Sequence, residues 1–166
     1  MSEELLIHPD RISAKPIVFE GKVDPEDFPR LAESAADDRI DLKYKVIARL
    51  DPQRRKVVSC IIEGFVFLTC QTTLEAFRHG ISIEDRLVLV DDESQLPPIE
   101  EESDAEDYLV ADGPLDVLDL VEDAVLLALP MVPRKPGLDE AAQVETAKEP
   151  KESPFAKLAS LKKRPQ

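Results

Sequence analysis

Residues 40–69, IDLKYKVIARLDPQRRKVVSCIIEGFVFLT, decide the fold. Ile40, Leu42, Tyr44, Val46, Ala48 and Leu50 alternate with Asp41, Lys43, Lys45 and Arg49. That period of two gives a strand one dry face and one wet face. Asp51-Pro52-Gln53-Arg54 reads as a turn, with proline favoured at its second position. A second, longer apolar strand follows over 57–69, interrupted near Gly64, where a bulge or a bend is expected. The two strands make an antiparallel hairpin, so a sheet is the base on which the rest of the chain must pack.

Toward the N-terminus, 5–7 and 17–23 read as short strands around a loop holding Pro9 and Pro16. Asp24-Pro25-Glu26-Asp27 reads as a helix start, with an N-cap aspartate, a proline at the first helical position and acids that suit the helix dipole. Phe28, Leu31, Ala32 and Ala35 then share a face, which predicts a short helix over 25–36 with Pro29 in its first turn or so. Toward the C-terminus, 81–90 predicts a further strand through Ile81, Ile83, Leu87 and Leu89, with a break or bulge at Glu84-Asp85. Residues 91–107 carry nine acids and no base, the composition of a solvated, flexible loop. The acids lack the alternating spacing and central glycine of a calcium-binding loop. Residues 108–110 add a short edge strand.

Residues 115–133, LDVLDLVEDAVLLALPMVP, read as one long central helix over 115–129 followed by its proline stop. Asp116 caps it, and Asp119, Glu122 and Asp123 meet the positive end of the dipole in its first two turns. Leu118, Val121, Val125 and Leu129 share a face. From Ala124 to Leu129 there is no polar residue, so the helix is expected to be covered on several sides. Pro130 disfavours the helical conformation at Leu129 and ends it there, and Pro133 keeps the exit extended. The expectation is therefore an α+β domain over 1–133: a mostly antiparallel β-sheet packed against the helix 115–129, with a short N-terminal helix. Residues 134–152 read as a linker punctuated by Pro136, Gly137 and Pro150. Ser153-Pro154 then caps a short C-terminal helix over 153–164 in which Phe155, Leu158 and Leu161 form an apolar stripe and Lys157, Lys162, Lys163 and Arg164 carry positive charge. Such a helix is too short to be stable alone, so it either docks on its own domain or is a flexible tail that folds on a partner, and the long linker and separate charge favour the partner.

A formal net charge of −14 over 166 residues argues against bulk attraction to nucleic acid or an anionic membrane and suits a basic partner. The start MSEELLIHPD lacks a basic flank followed by an apolar stretch, and no apolar run approaches the roughly 20 residues of a membrane span, so a cytoplasmic location is expected. Cys60 and Cys70 cannot make a disulfide framework, and both read as packing residues. His8 and His79 stand far apart in sequence, and no nucleophile is arranged with either; a pairing of Cys70 with His79 across a turn is the one catalytic constellation the spacing allows. No phosphate-binding glycine loop or dinucleotide fingerprint occurs. Neither an enzyme nor a cofactor is expected.

Three stretches resemble the YceD family, the large ribosomal RNA subunit accumulation proteins. They are LTCQTTLEAF at 68–77, with Cys70, Gln71, Leu74 and Glu75 at motif positions; LDVLDLVEDAVLLALPMVP, with Pro130 and Pro133; and SPFAKLASLKK at 153–163. Order and spacing match as well, including the hairpin before the cysteine and the acidic loop after it. The resemblance implies a non-enzymatic bacterial factor in the synthesis, processing or stability of large-subunit ribosomal RNA. Its implied partner is a ribosomal precursor, a ribosomal protein or an rRNA-processing factor, with the tail as one contact. An acidic escort for a basic ribosomal protein, using the 91–107 loop, is the alternative. The family carries a second cysteine where this chain has Thr73, and no cysteine follows Pro133 here, so a thiolate metal site is not expected.

Overall fold

A computed structural model describes residues 5–98 and 106–137. Met1–Pro133 forms one compact unit, and of the second unit, Arg134–Gln166, only residues 134–137 are described.

The hairpin is the centre of the molecule. Strand β3 (Asp41–Leu50) buries Leu42, Tyr44, Val46 and Ala48 and exposes Asp41, Lys43, Lys45 and Arg49, the alternation its sequence demands. The turn closes through the Arg54 N–H, which donates to the Asp51 carbonyl at 2.9 Å, with Arg54 itself at φ 63°. Strand β4 (Lys56–Thr69) runs unbroken past Gly64, which pairs with both Leu42 and Ile81. No bulge forms there. Gly64 instead adopts φ +144° and lets the Asp41 carbonyl come within 1.9 Å of where a Cβ would stand. Glycine at this position admits a close backbone approach within an intact ladder.

Strand β5 (Ala76–Val90) is longer than expected, because a tight turn after Cys70 lets it start at Ala76 rather than Ile81. It also passes through Glu84-Asp85 without a break: Glu84 pairs with Ile61 and Asp85 with Cys60. Glu84 is exposed on the open face and Asp85 is half-buried on the other, so neither side chain needs the ladder to open. Strand β2 (Ile17–Lys22) pairs with β3, and β6 (Asp107–Val110) lies parallel to β5, giving the order β2-β3-β4-β5-β6. A parallel neighbour needs a crossover of a dozen or more residues, which 91–106 supplies.

Two helices cover the buried face. Helix α1 (Pro29–Ser34) is six residues, not the span 25–36. Residues 24–27 form a turn, in which the Asp24 side chain accepts the Glu26 N–H at 3.1 Å and its carbonyl accepts the Asp27 N–H at 3.0 Å. Pro29 excludes the helical conformation at Phe28, whose φ is −125° and ψ 67°, and so becomes the first helical residue. Helix α2 (Val117–Ala128) is twelve residues, an ordinary rather than a long helix. Asp116 caps it, accepting from the Leu118 and Asp119 N–H groups at 2.7 and 3.3 Å. Leu129 is extended ahead of Pro130. The buried stripe is Val117, Val121 and Val125, with Leu118 and Leu129 half-buried at its margin. Coverage on several sides does not occur: Leu127 is 87% exposed. Strands β1 (Leu6–Ile7) and β7 (Leu115–Asp116) form a small sheet that ties the N-terminal segment to the start of α2.

Candidate binding surface

Two of the three motif stretches meet in space. Past the end of β4 the Cys70 N–H donates to the Glu75 carbonyl at 2.9 Å and the Leu74 N–H to the Cys70 carbonyl at 2.8 Å. This turn is tight enough to hold Leu74 at φ 59°, and the Leu74 side chain is left 76% exposed. The Gln71 N–H then donates to the Pro133 carbonyl at 2.9 Å, fastening the chain that leaves α2 onto the turn. Pro130 and Pro133 cannot donate to a helix or a ladder, so the strap between them joins neither, and it bends at Met131 and Val132, against the extended exit expected from Pro133. Met131 and Val132 on this strap are exposed. An exposed leucine, methionine and valine at one corner, with Leu127 on the last turn of α2, are apolar side chains this domain leaves to water. Cys70 is wholly buried beneath the turn and Thr73 is exposed.

The histidine–cysteine constellation does not form. His79 stands across the ladder from Val66, about 13 Å along the strand from Cys70. It packs edge-on against Phe77. Cys60 is buried on the sheet, and burial, reinforced by the neighbouring Asp85, pushes its thiol up to about 12. A thiol of that kind is protonated and inert at neutral pH. Among the described residues no three of His, Cys, Asp and Glu are grouped to hold a metal ion.

Charge is placed with more purpose than capping explains. Glu122 is 3% exposed. It accepts the Leu31 N–H at 3.0 Å and Arg30 Nε at 2.7 Å, while Arg30 Nη1 donates to Asp123 at 2.7 Å. The Glu122 bond, then the Asp123 bond, raises the pKa of the Arg30 guanidinium. Asp119 is 3.9 Å away at the edge of the same group. The acids of α2 thus clamp α1 to α2, a role that dipole reasoning assigned only to the helix end. A second network joins the hairpin turn to the end of the acidic stretch. Asp51 accepts Arg55 Nε at 2.8 Å and Arg86 Nη2 at 3.3 Å, and both arginines lie within 3.2 Å of Glu106. Burial pushes the Asp51 carboxyl up, but the Arg55 N–H and guanidinium outweigh it and hold its pKa below the ordinary value. Lys56 pairs with Asp91 at 2.8 Å, and Glu93–Gln95 forms a short 3-10 turn. The described ends of the acidic stretch are therefore anchored, and 99–105, the middle of the expected loop, lie outside the described residues. Sequence periodicity gives no sign of these networks, because each joins residues far apart in the chain.

Phe155, Lys157, Leu158, Leu161, Lys162, Lys163 and Arg164 lie outside the described residues, as does the linker beyond 137. Among the described residues no helix is long and apolar enough to cross a membrane.

The family model described as "Large ribosomal RNA subunit accumulation protein YceD" matches residues 58–162, from β4 through the motif corner and into the C-terminal stretch. A relative carrying that same name in Haemophilus influenzae is 28% identical over 173 aligned positions, covering 96% of each chain. No solved structure matches the chain.

Proposed function

The chain belongs to the YceD family of large ribosomal RNA subunit accumulation proteins, and from that premise we propose that it supports the accumulation of large-subunit ribosomal RNA by binding a pre-ribosomal particle or a processing factor, without itself catalysing a reaction. The family match over 58–162 carries this reading, since it takes in both the motif corner and the basic C-terminal stretch. Two contacts serve the binding. One is the corner of Leu74, Met131 and Val132, apolar side chains left in water at the place where two motif stretches meet. Apolar groups displayed together mark interaction sites more often than accident. The other is the segment 153–164, whose Phe155, Leu158 and Leu161 enter an apolar groove on the partner while Lys157, Lys162, Lys163 and Arg164 meet phosphate or acidic side chains. Ordering a segment on binding costs free energy, so each contact is weak alone and the pair gains from being joined in one chain.

The test is a full-length chain carrying Phe155→Ala and Leu158→Ala as the sole copy in cells. The ratio of large- to small-subunit rRNA is expected to fall at least twofold, with the urea midpoint of the purified protein unchanged. A normal ribosome profile in that strain would remove the C-terminal segment from the function.

A further inference from the structure

Beside α2 the buried face of the sheet is left open at its β6 end, and a cavity of about 230 Å³ lies there. Leu87 and Leu109 from the strands and Leu120 and Leu127 from α2 give it an apolar lining. Three carboxylates share it: Asp85, Asp107 and Asp123. The register brings the first two together, since Asp107 pairs with Leu87, two residues along β5 from Asp85 and on the same face. Among the described residues neither Asp85 nor Asp107 has an ion pair or a hydrogen-bonding side-chain partner, whereas Asp123 is held by Arg30. Burial, and then the facing charge of Asp107, raise the pKa of Asp85.

An apolar floor bounded by like charges suits few occupants. The volume is below the 300 Å³ or so at which small-molecule pockets begin, and it matches one or two side chains. Phosphate is repelled by the unpaired Asp85 and Asp107, which disfavours an RNA backbone. A lysine or arginine removes the repulsion between Asp85 and Asp107 while its methylene stem lies on the leucines. We propose that this groove receives a basic amphipathic segment of a protein partner, with one apolar side chain between α2 and the sheet and one cation spanning Asp85 and Asp107. This rests on the reading that the chain acts by binding, and it adds to that reading a contact with protein rather than RNA.

The experiment uses the purified full-length chain at physiological salt. The probe is a fluorescein-labelled 14-residue synthetic helix of leucine and lysine, with leucine at every third or fourth position, alongside the same peptide carrying glutamate for lysine. Anisotropy is expected to show binding of the lysine peptide only. The pair Asp85→Asn and Asp107→Asn is expected to weaken it about tenfold. The pair Glu63→Gln and Glu84→Gln, an equal loss of charge from exposed side chains on the opposite face of the sheet, is expected to weaken it less than twofold. Equal weakening by both pairs would reduce the effect to bulk charge and overturn the proposal, as would failure of the lysine peptide to bind. Direct binding of a fluorescein-labelled 14-nucleotide oligouridine to the chain, changed by Asp85→Asn and Asp107→Asn, would make the groove a nucleic-acid site and overturn it too. Binding seen only after Phe155→Asp and Leu158→Asp would assign the groove to the chain's own C-terminal segment, which equally overturns a partner's place in it. None of these readouts depends on rRNA levels, so the groove and the accumulation role stand or fall separately.

Discussion

Replacing Glu122 by alanine should loosen α1 from α2 at a cost that the geometry sets. The carboxylate is buried, and one of its oxygens is the acceptor of the Leu31 N–H at 3.0 Å. Leu31 is wholly buried, so water cannot take over as acceptor unless the helix moves. A buried donor left without an acceptor costs about 1–3 kcal/mol, and the lost side-chain packing adds to it. Arg30 is half-exposed and returns to water when its partner goes, so it adds no buried-charge penalty of its own. Glu122→Ala should therefore destabilise the fold by about 2–3 kcal/mol. Glu122→Gln keeps an oxygen facing Leu31 but turns an NH2 donor toward Arg30 Nε, so it loses the charge and the Arg30 bond while the half-exposed guanidinium returns to water, and should cost about 1 kcal/mol. Urea unfolding followed by circular dichroism reads both. With a slope of about 1.5 kcal/mol per molar, alanine lowers the midpoint by about 1.5 M and glutamine by about half that or less. A cost below about 0.5 kcal/mol for alanine would refute the clamp, because that is the range of an ordinary surface change. Equal costs for alanine and glutamine would show that the charge, and not the Leu31 donor, is what the carboxylate serves.

Two further outcomes follow from the sheet. Gly64→Ala combines a φ of +144° with a Cβ placed 1.9 Å from the Asp41 carbonyl, so the β3–β4 ladder must part locally, at a cost above about 3 kcal/mol or with loss of soluble protein on expression. Asp85→Asn should act the other way. The native pKa of Asp85 lies above its ordinary value of 3.8, so folding carries the penalty of its charge in full at neutral pH and sheds it as pH falls through the native and then the unfolded pKa. The asparagine variant should melt above the parent at pH 7 and level with it by about pH 3.5; equal melting temperatures at pH 7 would show that the Asp85–Asp107 repulsion is relieved within the chain.

The parts of this fold that were legible in the sequence are those set by neighbours in the chain. The two-residue alternation of 40–50, the turn at 51–54, the Asp116 cap and the stop before Pro130 each depend on contacts within about four residues, and all stand where periodicity and proline chemistry put them. What went unread depends on distant partners. Residues 24–27 have every mark of a helix start, yet Pro29 excludes the helical conformation one residue earlier, and buried Phe28 takes the place of the cap beside Tyr44, at 6.5 Å between ring centroids. The length of β5 could not be read because Arg78, His79 and Gly80 are paired by β4 and not by any pattern of their own. The apolar run 124–129 predicts burial all round, but a sheet covers only one side of a helix, and Leu127 stays 87% exposed. The groove acids were the least legible, since Asp85 looked like an interruption and Asp107 like part of a charge run until the register set them on one face.

The turn at the motif corner does not depend on the side chain at position 73, a threonine here. Here the turn is closed by main-chain bonds, Cys70 to Glu75 and Leu74 to Cys70, and the strap is fastened by the Gln71 N–H to Pro133. None of these bonds uses the side chain at 73, which is exposed. Cys70 is wholly enclosed, as a small side chain filling space beneath a turn must be. Main-chain bonds therefore hold the turn whatever the side chain at 73. At this corner the chain presents leucine, methionine and valine to water at a cost in solubility that folding does not repay, since burying them would stabilise the domain and exposing them does not. On the function proposed above, this apolar corner in a chain of net charge −14 is the surface that the partner covers.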